Sequence, residues 1–246
     1  MANVSKIEKQ KLKILIPTDF SGHALNAGFF AIELLKNAQG EFILENVFQV
    51  PKGNTGTLVS VNDIIIRESL QKLKKEQEKL KAKYSKTNII VQSEEGNPVT
   101  IVKQTLKKDH IDLLVIGHNL KIDRFSSSFI AQPEYWPTLL VPESPFTKIG
   151  KEAIIVSTKV KNGLSASTTF AEISKRFKGS VYQICFEEKS TAEELVANIL
   201  SIAMKHKTGM IILKTTNGDR LEQAITKHHL DSVFLSYPTL LISGNR

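Results

Sequence analysis

Cysteine, tryptophan and long apolar runs are scarce in this 246-residue sequence. The single cysteine, Cys185, allows no internal disulfide and no cysteine zinc quartet, so packing alone must hold the fold. Set in an apolar run, Cys185 reads as a small core residue. No apolar run approaches the roughly 18 residues that a bilayer-spanning helix needs. Met1 to Lys11 is polar and lacks the apolar core of a signal peptide. We therefore expect a cytoplasmic protein with no membrane partner. Gly-x-Gly-x-x-Gly and Walker loops are missing too. No serine or cysteine is accompanied by a recognisable base, so nothing supports a hydrolase and no catalytic residue is assigned. His228 and His229 are adjacent on an expected helix, where neighbours project about 100° apart rather than on one face, so no metal site is expected.

The composition that remains is globular: 41% of residues are hydrophobic and 24% charged. The length suits one large domain or two of moderate size. Thirty-three basic residues against twenty-five acidic give a net charge of +8. Much of the excess lies between Lys72 and Lys86, where seven lysines face only Glu76 and Glu78. Ile66, Leu70, Leu73, Leu80 and Tyr84 recur there at about three to four residues, which predicts an amphipathic helix with a solvated lysine face. The lysines are not interleaved with aromatics, so no specific nucleic-acid partner is expected.

Short, continuously apolar segments alternate with helical patterns. Strands are predicted at Leu12 to Ile16, Phe42 to Phe48, Asn88 to Gln92, Asp112 to Ile116 and Thr138 to Val141. Helices are predicted from His23 to Lys36, with Gly40 as the stop, and from Gly96-Asn97-Pro98 to Lys107. Such alternation predicts an α/β fold with a parallel sheet covered on both faces. Pro51 to Asn62, rich in glycine and asparagine, reads as a loop, as does Ser126-Ser127-Ser128.

An internal repeat organises the chain. Ile14-Leu15-Ile16-Pro17-Thr18 returns as Ile154-Ile155-Val156-Ser157-Thr158, and Phe30-Ala31 returns as Phe170-Ala171. Near the end of each copy, Trp136-Pro137-Thr138-Leu139-Leu140-Val141 is matched by Tyr237-Pro238-Thr239-Leu240-Leu241-Ile242. The repeat predicts domains at 12–146 and 151–246. In the second, Phe186 is followed almost at once by Ser190-Thr191-Ala192-Glu193, read as a capping box opening a helix to about Lys205. One helix and one strand are thereby lost, leaving four strands against five. Both last strands are uncharged and apolar, which predicts that the copies pair through them as an internal pseudo-dimer.

Ile14-Leu15-Ile16-Pro17-Thr18-Asp19-Phe20-Ser21, Gly96-Asn97-Pro98 and Asp112-Leu113-Leu114-Val115-Ile116-Gly117 together resemble the universal stress protein family. The resemblance covers nearly all of Leu12 to Pro142 and, more weakly, Glu152 to Ser243. It implies tandem Rossmann-like units with a nucleotide cleft at the strands' carboxyl ends. Residues matching that cleft are Thr18, Asp19 near the adenosine, Val47 near the base, then Gly117, His118, Asn119 and Ser127. Each has a plainer reading as well: Asp19 or Ser21 as a helix cap, Val47 as core, His118 as a solvent-facing loop residue.

The family's phosphate loop, Gly-x-x-Gly, nine residues, then Gly-Ser or Gly-Thr, is broken here. Gly117-His118-Asn119-Leu120 keeps only the first glycine, and the second pair falls on Ile130-Ala131. Glycines in such a loop let backbone amides approach phosphates, so Leu120 and Ile130 put bulk where phosphates would lie. In the second copy Lys159 replaces the aspartate and Lys214 the first glycine. The resemblance therefore implies a noncatalytic stress-response or regulatory protein acting on an unidentified protein partner, with no resident cofactor and ATP bound weakly or not at all. The alternative is an adenine-nucleotide-binding module using the Asp19/Gly117 cleft.

Overall fold

The computed structural model describes residues 11–38, 40–50, 61–118, 124–130, 136–143, 149–157, 172–175, 177, 181–185, 191–215, 220–227 and 230–243. In chain order these form β1 (Leu12–Pro17), α1 (Gly22–Leu35), β2 (Gly40–Phe48), α2 (Val61–Lys83), β3 (Asn88–Glu95), α3 (Pro98–Lys108), β4 (Leu113–His118), α4 (Arg124–Ile130) and β5 (Thr138–Pro142). The second half adds β6 (Ala153–Ser157), β7 (Val181–Cys185), α5 (Ala192–Lys205), β8 (Met210–Thr215), α6 (Arg220–Thr226), α7 (Asp231–Ser236) and β9 (Thr239–Ser243).

All nine strands form one sheet in the order β3-β2-β1-β4-β5-β9-β8-β6-β7. Neighbours are parallel, except that β5 and β9 run antiparallel, with Leu139 opposite Leu240. The strand order β2-β1-β4-β5 of the first half recurs as β7-β6-β8-β9 in the second.

The continuously apolar strands feed two cores because side chains alternate along a strand. Leu12, Ile14 and Ile16 of β1 point to the core beneath α1 and α2, whereas Leu15 joins Val102 and Leu106 of α3 on the opposite face. Leu73 and Leu80, seven residues apart on α2, are fully buried, as the lysine helix's periodicity requires. Its lysines lie outside, and Lys72 and Lys83 place their ammonium groups about 5.5 Å over the rings of Phe20 and Phe29.

Some boundaries differ from expectation for reasons of backbone pairing. Gly40 does not stop α1, which ends at Leu35; it is instead the first residue of β2, opposite Leu12. A Cβ there would lie 3.2 Å from Ile14 Cδ1. β3 continues past Gln92 to Glu95, because its polar end still pairs with β2 up to Phe48. β4 likewise extends to His118. Ser126 to Ser128 lie within helix α4 rather than a loop, with Phe125 and Phe129 one turn apart and their rings 5.0 Å from each other. The cap of α5 is Thr191, one residue beyond the expected Ser190: its hydroxyl accepts from Glu194 N at 3.2 Å, and Glu194 accepts from Thr191 N at 2.8 Å. Residues 51–60, Lys159, Phe170, Ala171, His228 and His229 lie outside the described residues, as does the side chain of Cys185.

Candidate functional site

In the first half the strand order reverses direction between β1 and β4, and crossovers leave those strands toward opposite faces of the sheet. A crevice must open there beyond the strands' carboxyl ends. It is present as a cleft of about 210 Å³, between the β1–α1 loop, the ends of β2 and β4, and helices α3 and α4.

The loop that forms one lip is fixed by its own side chains. Thr18 N donates to Glu45 O at 2.8 Å, and Asn46 Nδ2 donates to Thr18 O at 2.7 Å. Phe20 adopts φ 66°, a left-handed conformation unusual for a bulky residue, and Thr18 Oγ1 holds its N–H at 3.0 Å. Asp19 Oδ1 accepts from both the amide and the hydroxyl of Ser21, while Ser21 Oγ caps α1 by accepting from Ala24 N. His23, the second residue of α1, brings Nε2 within 3.8 Å of Asp19 Oδ2. Burial pushes the Asp19 carboxyl up, but the Ser21 hydrogen bonds and the His23 charge outweigh it and hold the group below its usual value.

Two further carboxyls sit deeper. Glu45, fully buried at the end of β2, accepts on Oε1 from Thr105 Oγ1 at 2.6 Å and from Gln92 Nε2 at 2.8 Å. Its Oε2 is buried with no hydrogen-bond partner among the described residues. Glu76 of α2, also buried, accepts from Thr18 Oγ1 at 2.9 Å. Desolvation pushes both above the usual glutamate range, against the opposing pull of their hydroxyl donors. The other walls are apolar: Val47, Pro98, Val102, Ile116 and Phe125.

Thr18, Asp19, Val47 and Gly117 thus meet at one cleft. Thr18 is not a free donor, because its hydroxyl already serves Glu76. Gly117 has a packing reason: a Cβ there would lie 2.3 Å from His23 O and 2.9 Å from Ala24 N, so β4 can approach the first turn of α1 only through a glycine. His118 is not a solvent-facing loop residue. It is buried at the end of β4, and its Nδ1 lies 3.3 Å from Val141 O. Asn119 and the side chain of Ser127 lie outside the described residues.

Sequence reasoning missed His23, Glu45 and Glu76 as parts of this site. The signals were present. Glu45 follows the apolar run Phe42 to Leu44 on a central strand, and Glu76 stands three residues after Leu73 and four before Leu80, on the face of α2 that must turn inward. Among the described residues no three His, Cys, Asp or Glu side chains are gathered as a metal would need, and no helix is long and apolar enough to cross a membrane.

Residues 12–121 match the model of the universal stress protein family. No curated protein matches the chain. Among solved structures, the chain is similar to a universal stress protein from Archaeoglobus fulgidus DSM 4304, at TM-score 0.65 and 11% identity over 94% of this chain and 96% of that one. It is also similar to a functionally unknown protein from Pseudomonas aeruginosa PAO1, at TM-score 0.54 and 12% identity over 94% of this chain and 92% of that one. These likenesses show the fold.

Proposed function

Starting from the universal stress protein domain at residues 12–121, we propose a noncatalytic stress-response or regulatory protein that works through a protein partner, with a cleft degenerate for nucleotide. The observation that carries this reading is the charge and packing of the cleft. Its polar lining is Thr18, Asp19, His23 and Glu45, with Glu76 behind Thr18 and no lysine or arginine among the described lining residues. A polyphosphate entering there meets the Asp19 and Glu45 carboxyls, with His23, already beside Asp19, as the one basic side chain among the described lining residues. Gly117, the one glycine of the phosphate loop that the sequence retains, is accounted for by its contact with the His23 backbone. An Asp19 contact to a ribose hydroxyl contributes only about 0.5–1.5 kcal/mol and does not replace a phosphate cradle.

Two domains, at 12–146 and 151–246, are part of this proposal. The recurrence of one strand order on both sides of the β5–β9 pair supports them. So does the absence from the second half of any helix matching α2 among the described residues. The test of the functional reading is a mass-spectrometric inventory of small molecules released when the purified protein is denatured. We expect no stoichiometric nucleotide; an adenine nucleotide at one per chain would replace this reading with that of a nucleotide-binding module.

A further inference from the structure

On one side the sheet ends at β3, whose outer edge has no strand beside it among the described residues. The ladder settles which of its backbone groups face outward. Gly96, just past β3, donates its N–H to Phe48 O at 2.8 Å, and in a parallel ladder every second residue turns its N–H and C=O to the same neighbour. Asn88, Ile90, Gln92 and Glu94 therefore bond to β2, whereas the backbone groups of Ile89, Val91 and Ser93 point away from it. A contact from α2 agrees, because Gln77 Nε2 reaches the edge and donates to Ile89 O at 2.7 Å. Beyond that contact, the outward N–H and C=O groups of the half-buried Val91 and Ser93 have no hydrogen-bond partner among the described residues. Such a row of groups is a template for another strand.

The same helix sets the charge of this edge. Lys74 and Lys81 stand three residues before and four after Gln77, and so share its face of α2, while Lys86 lies in the turn that leads into β3. All three are exposed and form no ion pair among the described residues. On the other face of β3, Ile90 offers apolar surface and is 41% exposed. We propose that the β3 edge docks an extended acidic segment of a protein partner. The segment pairs with the Val91 and Ser93 backbone as a further strand, turns alternate acidic side chains toward Lys74 and Lys81, and lays the apolar ones between them beside Ile90. Glu94 and Glu95 close the carboxyl end of β3, so the acids belong toward its amino end, where Lys81 and Lys86 lie. Lysines that guard an edge against apolar strands thereby select an acidic one. A second copy of this edge fits less well, because a two-fold pair would bring two rows of α2 lysines together. Nucleic acid would satisfy the lysines but has no peptide groups to meet those of Val91 and Ser93.

The inference rests on the reading that the chain works through a protein partner, and it adds the place and the chemistry. Its test titrates the full chain with a capped, fluorescent octapeptide alternating glutamate and valine. Two controls are the lysine–valine counterpart and a fully N-methylated glutamate–valine peptide, which keeps the charge but has no backbone donors. We expect saturable binding of the glutamate peptide, amide NMR shifts at Val91 and Ser93, and affinity at least about tenfold weaker for both controls. Lys74→Glu combined with Lys81→Glu, both on the exposed side of α2, is expected to weaken binding by about tenfold or more. The comparison of peptides on the unaltered protein decides the matter even if that variant folds poorly. No saturation up to about 1 mM glutamate peptide overturns the inference, as does equal affinity of the N-methylated form, which would mean attraction by charge alone. Duplex DNA that displaces the peptide and binds more tightly overturns it in favour of a nucleic-acid surface. None of these outcomes touches the partner reading itself, which fails instead if the denatured protein releases stoichiometric adenine nucleotide.

Discussion

Single residues in the cleft divide into those that shape it and those that charge it. Gly117 shapes it. Ala at this position would drive a methyl group into the His23 and Ala24 backbone, which cannot move aside as a side chain can. Gly117→Ala is therefore expected to lower unfolding free energy by about 3 kcal/mol or more in urea titrations. Gly22, with nothing within 4 Å of its Cβ position at the start of α1, is the matched control. Gly22→Ala is expected to be neutral or to stabilise by up to about 1 kcal/mol. Glu45 is the buried acid beside the cleft, and desolvation raises its carboxyl above the ordinary glutamate value, toward the neutral form. A carboxyl raised on folding favours the folded state while protonated. Its contribution is whole below the unfolded value and is lost as pH rises through the folded one. Glu45→Gln should thus gain stability relative to the unaltered protein as pH rises from about 4 to 8, and a constant difference across that range would contradict the assignment. The places of Thr18, Asp19 and Gly117 at one cleft were legible because their segments mark strand ends, and that of Val47 only through the family resemblance. Glu76 was not, because its role depends on α2 lying over the β1–α1 loop, a contact between residues 58 apart.

At the scale of elements, what was legible followed from period and caps. Apolar runs placed all five strands of the first half, and Gly96-Asn97-Pro98 placed the start of α3: Asn97 accepts from Thr100 N, and Pro98 occupies the first turn, where its missing donor is harmless. Strand ends were less legible because pairing is a backbone property. Ser93, Glu94 and Glu95 extend β3 with no apolar signal, since β2 offers a ladder to Phe48. The helix over Ser126 to Ser128 was hidden because its apolar residues, Phe125 and Phe129, flank serines that read as a turn. The one-residue shift of the α5 cap has a direct check. Thr191→Ala is expected to lower stability by about 1 kcal/mol, whereas Ser190→Ala should stay within about 0.5 kcal/mol. Denaturation curves of the two variants compare the capping roles, and a larger loss at Ser190 would restore the earlier boundary.

For the whole molecule, the β5–β9 pair carries the organisation, because it makes nine strands one sheet and covers an apolar edge on each side. The contact of α7 with β5, and of α4 with α6, adds helix packing across the same line. Residues 1–146 expressed alone would expose the backbone donors and acceptors of β5, whose Thr138 to Val141 carry no charge. This fragment is expected to dimerise or aggregate in light-scattering measurements, and a stable monomer would argue against a joint role for the two halves. The repeat in the sequence indicated that the last strands correspond, but not that they meet antiparallel, edge to edge in one sheet. The central proposal is that the first-half cleft, lined by the Asp19 and Glu45 carboxyls and closed on one side by the Gly117 contact, takes up no phosphate chain. Calorimetric titration of the full chain with Mg-ATP at physiological salt tests it most directly. We predict no saturable heat at micromolar concentrations. One-site binding at micromolar affinity or tighter, abolished by Asp19→Ala, would contradict it.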